Sequence, residues 1–423
     1  MKVLWITNIP LPEISAHVGL QKNVGGGWME SMAKKLVQAD SNIELAIACC
    51  EGAVYVSQKI GTIMYYVLPA NKSNTRYNKS LSKYWKRVRD DFKPDLVHIH
   101  GTEFAHSLSY IRKFPKDKIC VSIQGLISVI ARYYDSCIPL IDFYTNITIR
   151  TLIGKDNLWQ GKMAFRRRGV LEREILKNVK YVIGRTQWDL AHVNAINKNV
   201  RYFHCDETLR STFYKNKWDY SQCEKHSIFL SQSSYPIKGL HQVIKALVLV
   251  KEAYPDTKLL VAGTNILKNK SLKERLTISG YGKYINKLLK KYDLYNDVIF
   301  LGPLSEENMC KAYLKCNLFI SPSSIENSPN SLGEAQVLGT PAIGSYVGGV
   351  PEFMKGADVL LYRFEEYEML ADKIKLLFSI YDSGNELKEI KALRDQAHLR
   401  HSPERNRMTL VNIYKDIVED NEI

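Results

Sequence analysis

Short aliphatic and β-branched runs alternate with helix-length amphipathic segments along most of the chain. In the first half the strand candidates are Val3–Ile9, Ile43–Cys49, Ile63–Leu68, Leu96–His100, Ile119–Gln124, Tyr181–Gly184 and Val200–His204. The second half repeats the scheme with Ile228–Ser231, Lys258–Ala262, Val298–Leu301, Leu318–Ser321, Pro341–Gly344 and Val359–Tyr362. Strands separated by helix-length segments predict βαβ units and therefore parallel, doubly wound sheets. Between Leu81 and Phe92, apolar Trp85, Val88 and Phe92 recur at helical spacing, so this helix is expected to lay one stripe on a sheet. The polar stretch Lys215–Lys225 interrupts the alternation and is read as a linker. This divides the chain into an α/β domain over 1–212 and another over 213–402, followed by a helical pattern over 403–423.

Length and composition agree with that division. A chain of 423 residues with 45% hydrophobic content can bury two ordinary cores without disulfides or metals. The eight cysteines form no Cys-x-x-Cys pair and no zinc-spaced cluster, as expected of buried thiols in a reducing cytoplasm. The start, MKVLWITNIPLP, reads as a first strand rather than a signal peptide, and no run of 18 apolar residues occurs. Any membrane contact is therefore expected to be peripheral. The net charge of +15 is uneven: residues 1–205 hold 30 Lys and Arg against 16 Asp and Glu, and residues 206–423 hold 29 against 28. Two halves of different charge suggest different partners. The basic residues are dispersed and accompany no nucleic-acid-binding motif, so a nucleic-acid partner is not expected.

The most informative stretch is Ser321 to Glu352, SPSSIENSPNSLGEAQVLGTPAIGSYVGGVPE. A strand ending at Ser-Pro, a polar loop and a helical pattern from about Leu332 present backbone N–H groups at a helix start, where the dipole favours phosphate oxygens. Glu334 is expected in the first helical turn, placed to accept from a ribose diol. Glu326 is expected across the phosphate cradle, where a sugar on the second phosphate would lie. Taken singly, the two carboxylates are also compatible with a solvated loop residue and a dipole-stabilised helix residue.

The whole string from Glu326 to Ala335, with Gly-Thr-Pro-Ala-Ile and Gly-Gly-Val-Pro-Glu behind it, resembles the donor site of family four retaining glycosyltransferases. The resemblance implies the GT-B architecture, two Rossmann-like doubly wound domains facing a cleft, with the last helix crossing back onto the first domain. It implies transfer of a hexosyl group from a UDP- or GDP-sugar to an acceptor hydroxyl with retention, using no cofactor and, since no Asp-x-Asp motif occurs, no metal. By that resemblance Glu326 and Lys238 are the catalytic candidates. Glu334, Pro329, Asn330, Ser331, Leu332 and Gly333 would hold the donor, joined by Gly25 and Gly26 of the glycine turn before Trp28. Ser233 stands where relatives place a phosphate-binding Arg, and Gln124 where many carry a His that contacts the transferred sugar. Gln can hydrogen-bond a hydroxyl but cannot titrate. Gly125, and His100 at the end of a strand whose carboxyl edge faces the ligand crevice of an open sheet, complete the sugar and acceptor candidates. Gly280-Tyr281-Gly282 and Leu301-Gly302-Pro303 would lie near the nucleotide.

Between Leu126 and Phe165 the chain is apolar and aromatic without clean periodicity, and it leads into Arg166-Arg167-Arg168. This suits a lipid-linked saccharide acceptor at the anionic inner face of a plasma membrane, in bacterial surface polysaccharide synthesis. A buried helical subdomain with a solvated basic face is the alternative. A nucleotide-sugar epimerase of the same fold, a soluble glucan synthase or phosphorylase, and a non-enzymatic nucleic-acid-binding protein are the competing functions.

Overall fold

The computed structural model describes residues 1–20, 27–39, 42–69, 76–154, 157–267 and 277–420. Its contacts divide the chain into two compact units. One is Met1–Val129, Phe165–Arg210 and His401–Ile423; the other is Ile130–Ala164 and Ser211–Arg400.

The first unit is built on an eight-stranded sheet of β1 (Lys2–Thr7), β2 (Glu44–Gly52), β3 (Val56–Ile60), β4 (Ile63–Pro69), β5 (Leu96–His100), β6 (Ile119–Ser122), β7 (Tyr181–Gly184) and β8 (Arg201–His204), ordered β3-β4-β2-β1-β5-β6-β7-β8. All neighbours pair parallel except β3, an antiparallel edge strand joined to β4 by a tight turn that pairs Ile60 with Ile63. Alternation along β1 feeds two cores: Leu4 and Ile6 face one, Val3 and Trp5 the other. Both faces of the sheet are therefore covered, the rule for parallel sheets. The Leu81–Phe92 helix buries Leu81, Trp85, Val88 and Phe92 in the Leu4 core. The C-terminal helix, Pro403–Glu419, lies on the opposite face through Leu410, Tyr414 and Ile417. There Trp5 Nε1 donates to the Tyr414 hydroxyl at 2.9 Å.

The second unit carries six parallel strands, β9 (Glu224–Leu230), β10 (Lys258–Ala262), β11 (Val298–Gly302), β12 (Cys316–Ser321), β13 (Ala342–Ser345) and β14 (Leu361–Tyr362). Their order, β11-β10-β9-β12-β13-β14, is the Rossmann order, and the chain reverses direction across the sheet between β9 and β12. Ile228, Phe229 and Leu230 are fully buried at the centre, as an apolar run in a two-sided sheet requires.

Two sequence boundaries differ from what is observed. The stretch read as a linker, Lys215–Lys225, is packed structure of the second unit. Trp218, almost wholly buried, sends its Nε1–H to the Cys316 carbonyl and its backbone N–H to the Leu338 carbonyl, each at 2.9 Å. One buried indole outweighs the polar composition around it. The segment Ile130–Ala164 falls in the second unit, although the sequence boundary at 212 counts it with the first. His241 Nε2 bonds the Ser136 carbonyl at 2.7 Å, and Lys287 pairs with Asp142 at 2.6 Å.

Candidate functional site

Ligand sites in open α/β sheets form at the carboxyl ends of the strands where the strand order reverses. In the second unit that point lies between β9 and β12, and the loops leaving these two strands carry the residues the sequence singles out. After β9 the chain passes Ser233, enters a short 3-10 turn, Pro236–Lys238, and leaves it at Gly239 with φ +71°. After β12 it forms the loop bearing Glu326 and then the nine-residue helix Asn330–Leu338.

Lys238 Nζ donates to Glu326 Oε2 at 2.7 Å, joining the two loops. Ser323 Oγ gives the same oxygen a second donor at 3.3 Å. Burial by itself would lower the Lys238 pKa, but the charge of Glu326, helped by Tyr235, overcomes it and holds the ammonium above its ordinary range. The pair is fixed from behind by the backbone. Ser324 N–H donates to the Ile237 carbonyl at 2.8 Å, and Gly349 N–H to the Glu326 carbonyl at 3.1 Å. Gly239 and Gly348, at φ +71° and +54°, each lie where a Cβ would run into a carbonyl, that of Pro322 and of Glu326 respectively. The approach is possible only without a side chain. Glu326 Oε1 has no protein donor among the described residues. The arrangement presents a fixed cation and an available carboxylate oxygen at the sheet's reversal point.

The helix start differs in detail from the sequence expectation. The helix begins at Asn330 instead of about Leu332, because Pro329, with φ −73°, already supplies the N-cap geometry. Glu334 is therefore the fifth helical residue, not a first-turn one, and it is buried. The Leu332 and Gly333 amides, expected to face phosphate, donate instead to the Pro329 carbonyl at 3.0 and 3.1 Å. No side chain caps the helix, and the Ser331 amide has no protein acceptor among the described residues. Its N-terminal partial charge thus remains available to an anion. Ser233 is 1% exposed, and its Oγ has no hydrogen-bond partner among the described residues.

The remaining candidates lie in the first unit or outside the described residues. Gly25 and Gly26 belong to the latter. Gln124 and Gly125, half-buried, follow β6, which ends at Ser122 and not at Gln124. His100 is a core residue: it is 4% exposed, with its ring 4.4 Å from Trp5 and 3.9 Å from His98. Burial, reinforced by the charge of Arg185, lowers its pKa to about 3. This stacked position buries His100 against Trp5 and His98.

Sequence reasoning passed over Ser323, which shares Glu326 with Lys238, and Ser324, whose Oγ lies 2.9 Å from Ser136 Oγ. Both lie in the Ser-Pro-Ser-Ser run after β12, where a strand-end serine is the available signal. The pairing with Ser136, 188 residues away in sequence, carries none.

Residues 213–399 match the family model described as Glycosyl transferases group 1. Sucrose-phosphate synthase from Thermosynechococcus elongatus superposes with a TM-score of 0.71 over 99% of each chain at 14% identity. Anabaena HepE in complex with UDP-glucose superposes with a TM-score of 0.65 over 98% of this chain and 100% of that one, also at 14% identity. In sequence, the chain is 28% identical over 155 residues to the GDP-mannose-dependent monoacylated alpha-(1-6)-phosphatidylinositol monomannoside mannosyltransferase of Corynebacterium glutamicum, covering 35% of each. The chain matches less than half the length of the curated relatives. What these likenesses establish is the fold: two Rossmann-like parallel-sheet domains of the kind seen in GT-B glycosyltransferases, with the group 1 match covering the second of them.

Proposed function

We propose that the chain is a retaining, metal-independent glycosyltransferase that moves a hexosyl group from a UDP- or GDP-sugar to a hydroxyl of a lipid-linked saccharide, in bacterial surface polysaccharide synthesis at the inner face of the plasma membrane. The observation that carries this reading is the Lys238–Glu326 pair at the reversal point of the second sheet, beside a helix start that no side chain caps. The group 1 match over the same residues supports the enzyme class. UDP-glucose in HepE supports a nucleotide sugar, and the name of the C. glutamicum relative supports a lipid acceptor.

Transfer builds negative charge on the leaving diphosphate and positive charge on the sugar. Lys238, the Ser331 amide and the helix dipole would stabilise the first, commonly a large share of such catalysis. They supply it without a divalent ion. Glu326 Oε1 would accept sugar hydroxyls and orient the ring, while Ser233 Oγ would donate to a phosphate oxygen in place of the Arg of relatives. Glu334 would hold the ribose from the start of the second turn. By the resemblance, Gly25 and Gly26 stay donor candidates, and Gln124 and Gly125 sugar and acceptor candidates. No side-chain nucleophile is assigned: the acceptor hydroxyl attacks on the face the phosphate leaves, and the phosphate takes its proton.

Product analysis tests this. With UDP- and GDP-sugar panels and a polyprenyl-diphosphate oligosaccharide, the reading expects a product whose anomeric configuration by NMR equals the donor's, formed equally with and without chelator. An inverted product, or chelator-sensitive turnover restored by a divalent ion, overturns the corresponding part. Donor epimerised without acceptor would instead identify a nucleotide-sugar epimerase.

A further inference from the structure

The segment Leu140–Ile153, read from sequence as either buried or lipid-facing, buries Phe143 and exposes its other large apolar side chains. Two short helices, Leu140–Thr145 and Ile149–Gly154, present Leu140 at 70%, Ile141 at 72%, Leu152 at 67% and Ile153 at 80% exposure. Seven of the twenty large apolar side chains that are exposed among the described residues lie within these fourteen positions. A concentration of that kind marks an interaction surface rather than scattered surface hydrophobics.

Charge identifies what the surface fits. Within the same unit, the segment is bound to the helix Gly280–Tyr292 and the turn before it: Thr148 Oγ1 donates to the Ile278 carbonyl at 2.8 Å, Lys283 Nζ to the Ile147 carbonyl at 3.1 Å, and Lys287 pairs with Asp142 at 2.6 Å. That helix buries Tyr281, Tyr284, Ile285, Leu288 and Leu289, and its outward face carries Lys283, Lys287, Lys290 and Lys291 with no acidic residue. The apolar segment itself contains one acid, Asp142, and one further cation, Arg150. An apolar ridge beside a row of lysines is complementary to a bilayer surface of anionic headgroups over acyl chains. A second copy of the chain would have to bring an acidic counter-face to the same row.

We propose that the Leu140–Ile153 ridge and the lysine row of the Gly280–Tyr292 helix form a docking surface for an anionic lipid bilayer. This rests on the lipid-linked acceptor reading and names where the chain meets the lipid. The basic cluster that follows the apolar run in sequence, Arg166–Arg168, belongs to the other unit. The ridge enters the acyl boundary while the lysines meet the headgroups, so attachment needs both and weakens with salt.

The test is co-sedimentation of the whole chain with phosphatidylcholine vesicles, alone or with 30% phosphatidylglycerol. Binding is expected only to the anionic vesicles and is expected to fall as salt rises. Replacing both Lys290 and Lys291, which hold no part of the ridge segment, by Gln should lower partitioning about thirtyfold at low salt. Replacing Ile141, Leu152 and Ile153 by Ser should lower it at least about tenfold. All variants should keep the wild-type thermal shift with nucleoside diphosphates, which separates failure of this surface from failure of the donor site. Equal binding to neutral vesicles, undiminished binding by folded variants, or an oligomer that the Ser variants dissociate would overturn the proposal, the last assigning the ridge to a second copy.

Discussion

Lys238 Nζ and Glu326 Oε2 lie 2.7 Å apart although 88 residues separate them in sequence. The two strands that carry them, β9 and β12, are neighbours in the sheet only because the chain reverses direction there. The pair divides two tasks: the ammonium faces developing diphosphate charge, and the second carboxylate oxygen is left for the sugar.

Lys238→Ala is therefore expected to weaken nucleoside diphosphate binding at least about tenfold, the scale of a lost charge-assisted hydrogen bond. Glu326→Gln should keep that binding within a few-fold while turnover falls about a hundredfold or more. Calorimetric titration beside a turnover assay separates the two. Glu326→Gln losing nucleotide binding while remaining folded would contradict the assigned division.

Gly348→Ala should destabilise the second unit by about 2–4 kcal/mol, because the added Cβ meets the Glu326 carbonyl at a left-handed φ of +54°. Gly239→Ala, against the Pro322 carbonyl, should behave alike. Gly384→Ala serves as the control: φ is also positive, +71°, but nothing lies within 4 Å of the added carbon, so its cost should stay near 1–2 kcal/mol. Urea unfolding of the three variants measures this.

The relation of these residues to the sequence is uneven in an instructive way. The strands were legible because each is a short apolar run between turn residues, and Leu96–His100, Tyr181–Gly184 and Lys258–Ala262 match the observed limits. The edge strand Val56–Ile60 was not, since VSQKI has one half-buried face and little apolar content. Glu326, Lys238 and Ser233 could be singled out in advance because their local string is distinctive. That Leu332 and Gly333 spend their amides on Pro329 depends on where the helix starts, a matter of one proline's geometry. The membership of Ile130–Ala164 is set by contacts such as His241 to Ser136, which no local pattern encodes.

Ser233→Ala should leave stability unchanged or raise it by up to about 1 kcal/mol, since the buried Oγ it removes has no partner among the described residues. If that hydroxyl meets a phosphate, the same variant should bind nucleoside diphosphates about fivefold more weakly. Stability lost with binding intact would make Ser233 a structural residue.

Acid should unfold the protein through its buried histidines. Burial holds His98 well below its ordinary pKa and lowers His100 and His241 to about 3 and His106 to about 4. Each folded value lies below the unfolded one. The stability these residues contribute is complete above about pH 6.5 and is lost as pH falls toward the folded values. Glu172, raised to about 7 by burial, runs oppositely: its contribution is present below about pH 4.3 and is lost as pH rises to 7. With four histidines against the three carboxyls that burial raises, Glu51, Glu103 and Glu172, the net loss should appear below pH 6. In urea titrations from pH 8 to pH 5, wild type should lose about 2 kcal/mol more than His241→Gln, the share of that one residue. Equal losses would refute the assignment.

The most direct test of the donor site is a thermal-shift titration of the wild-type chain with UDP, GDP and their sugars, run beside Lys238→Ala. A ligand that binds only the folded state raises the midpoint, by about 2.7 kcal/mol of stabilisation at a hundred times its dissociation constant. The predicted result is a concentration-dependent rise with at least one of these diphosphates, reduced or absent in the folded Lys238→Ala variant. No shift of the wild-type midpoint with any of them would contradict a nucleotide-sugar site between β9 and β12.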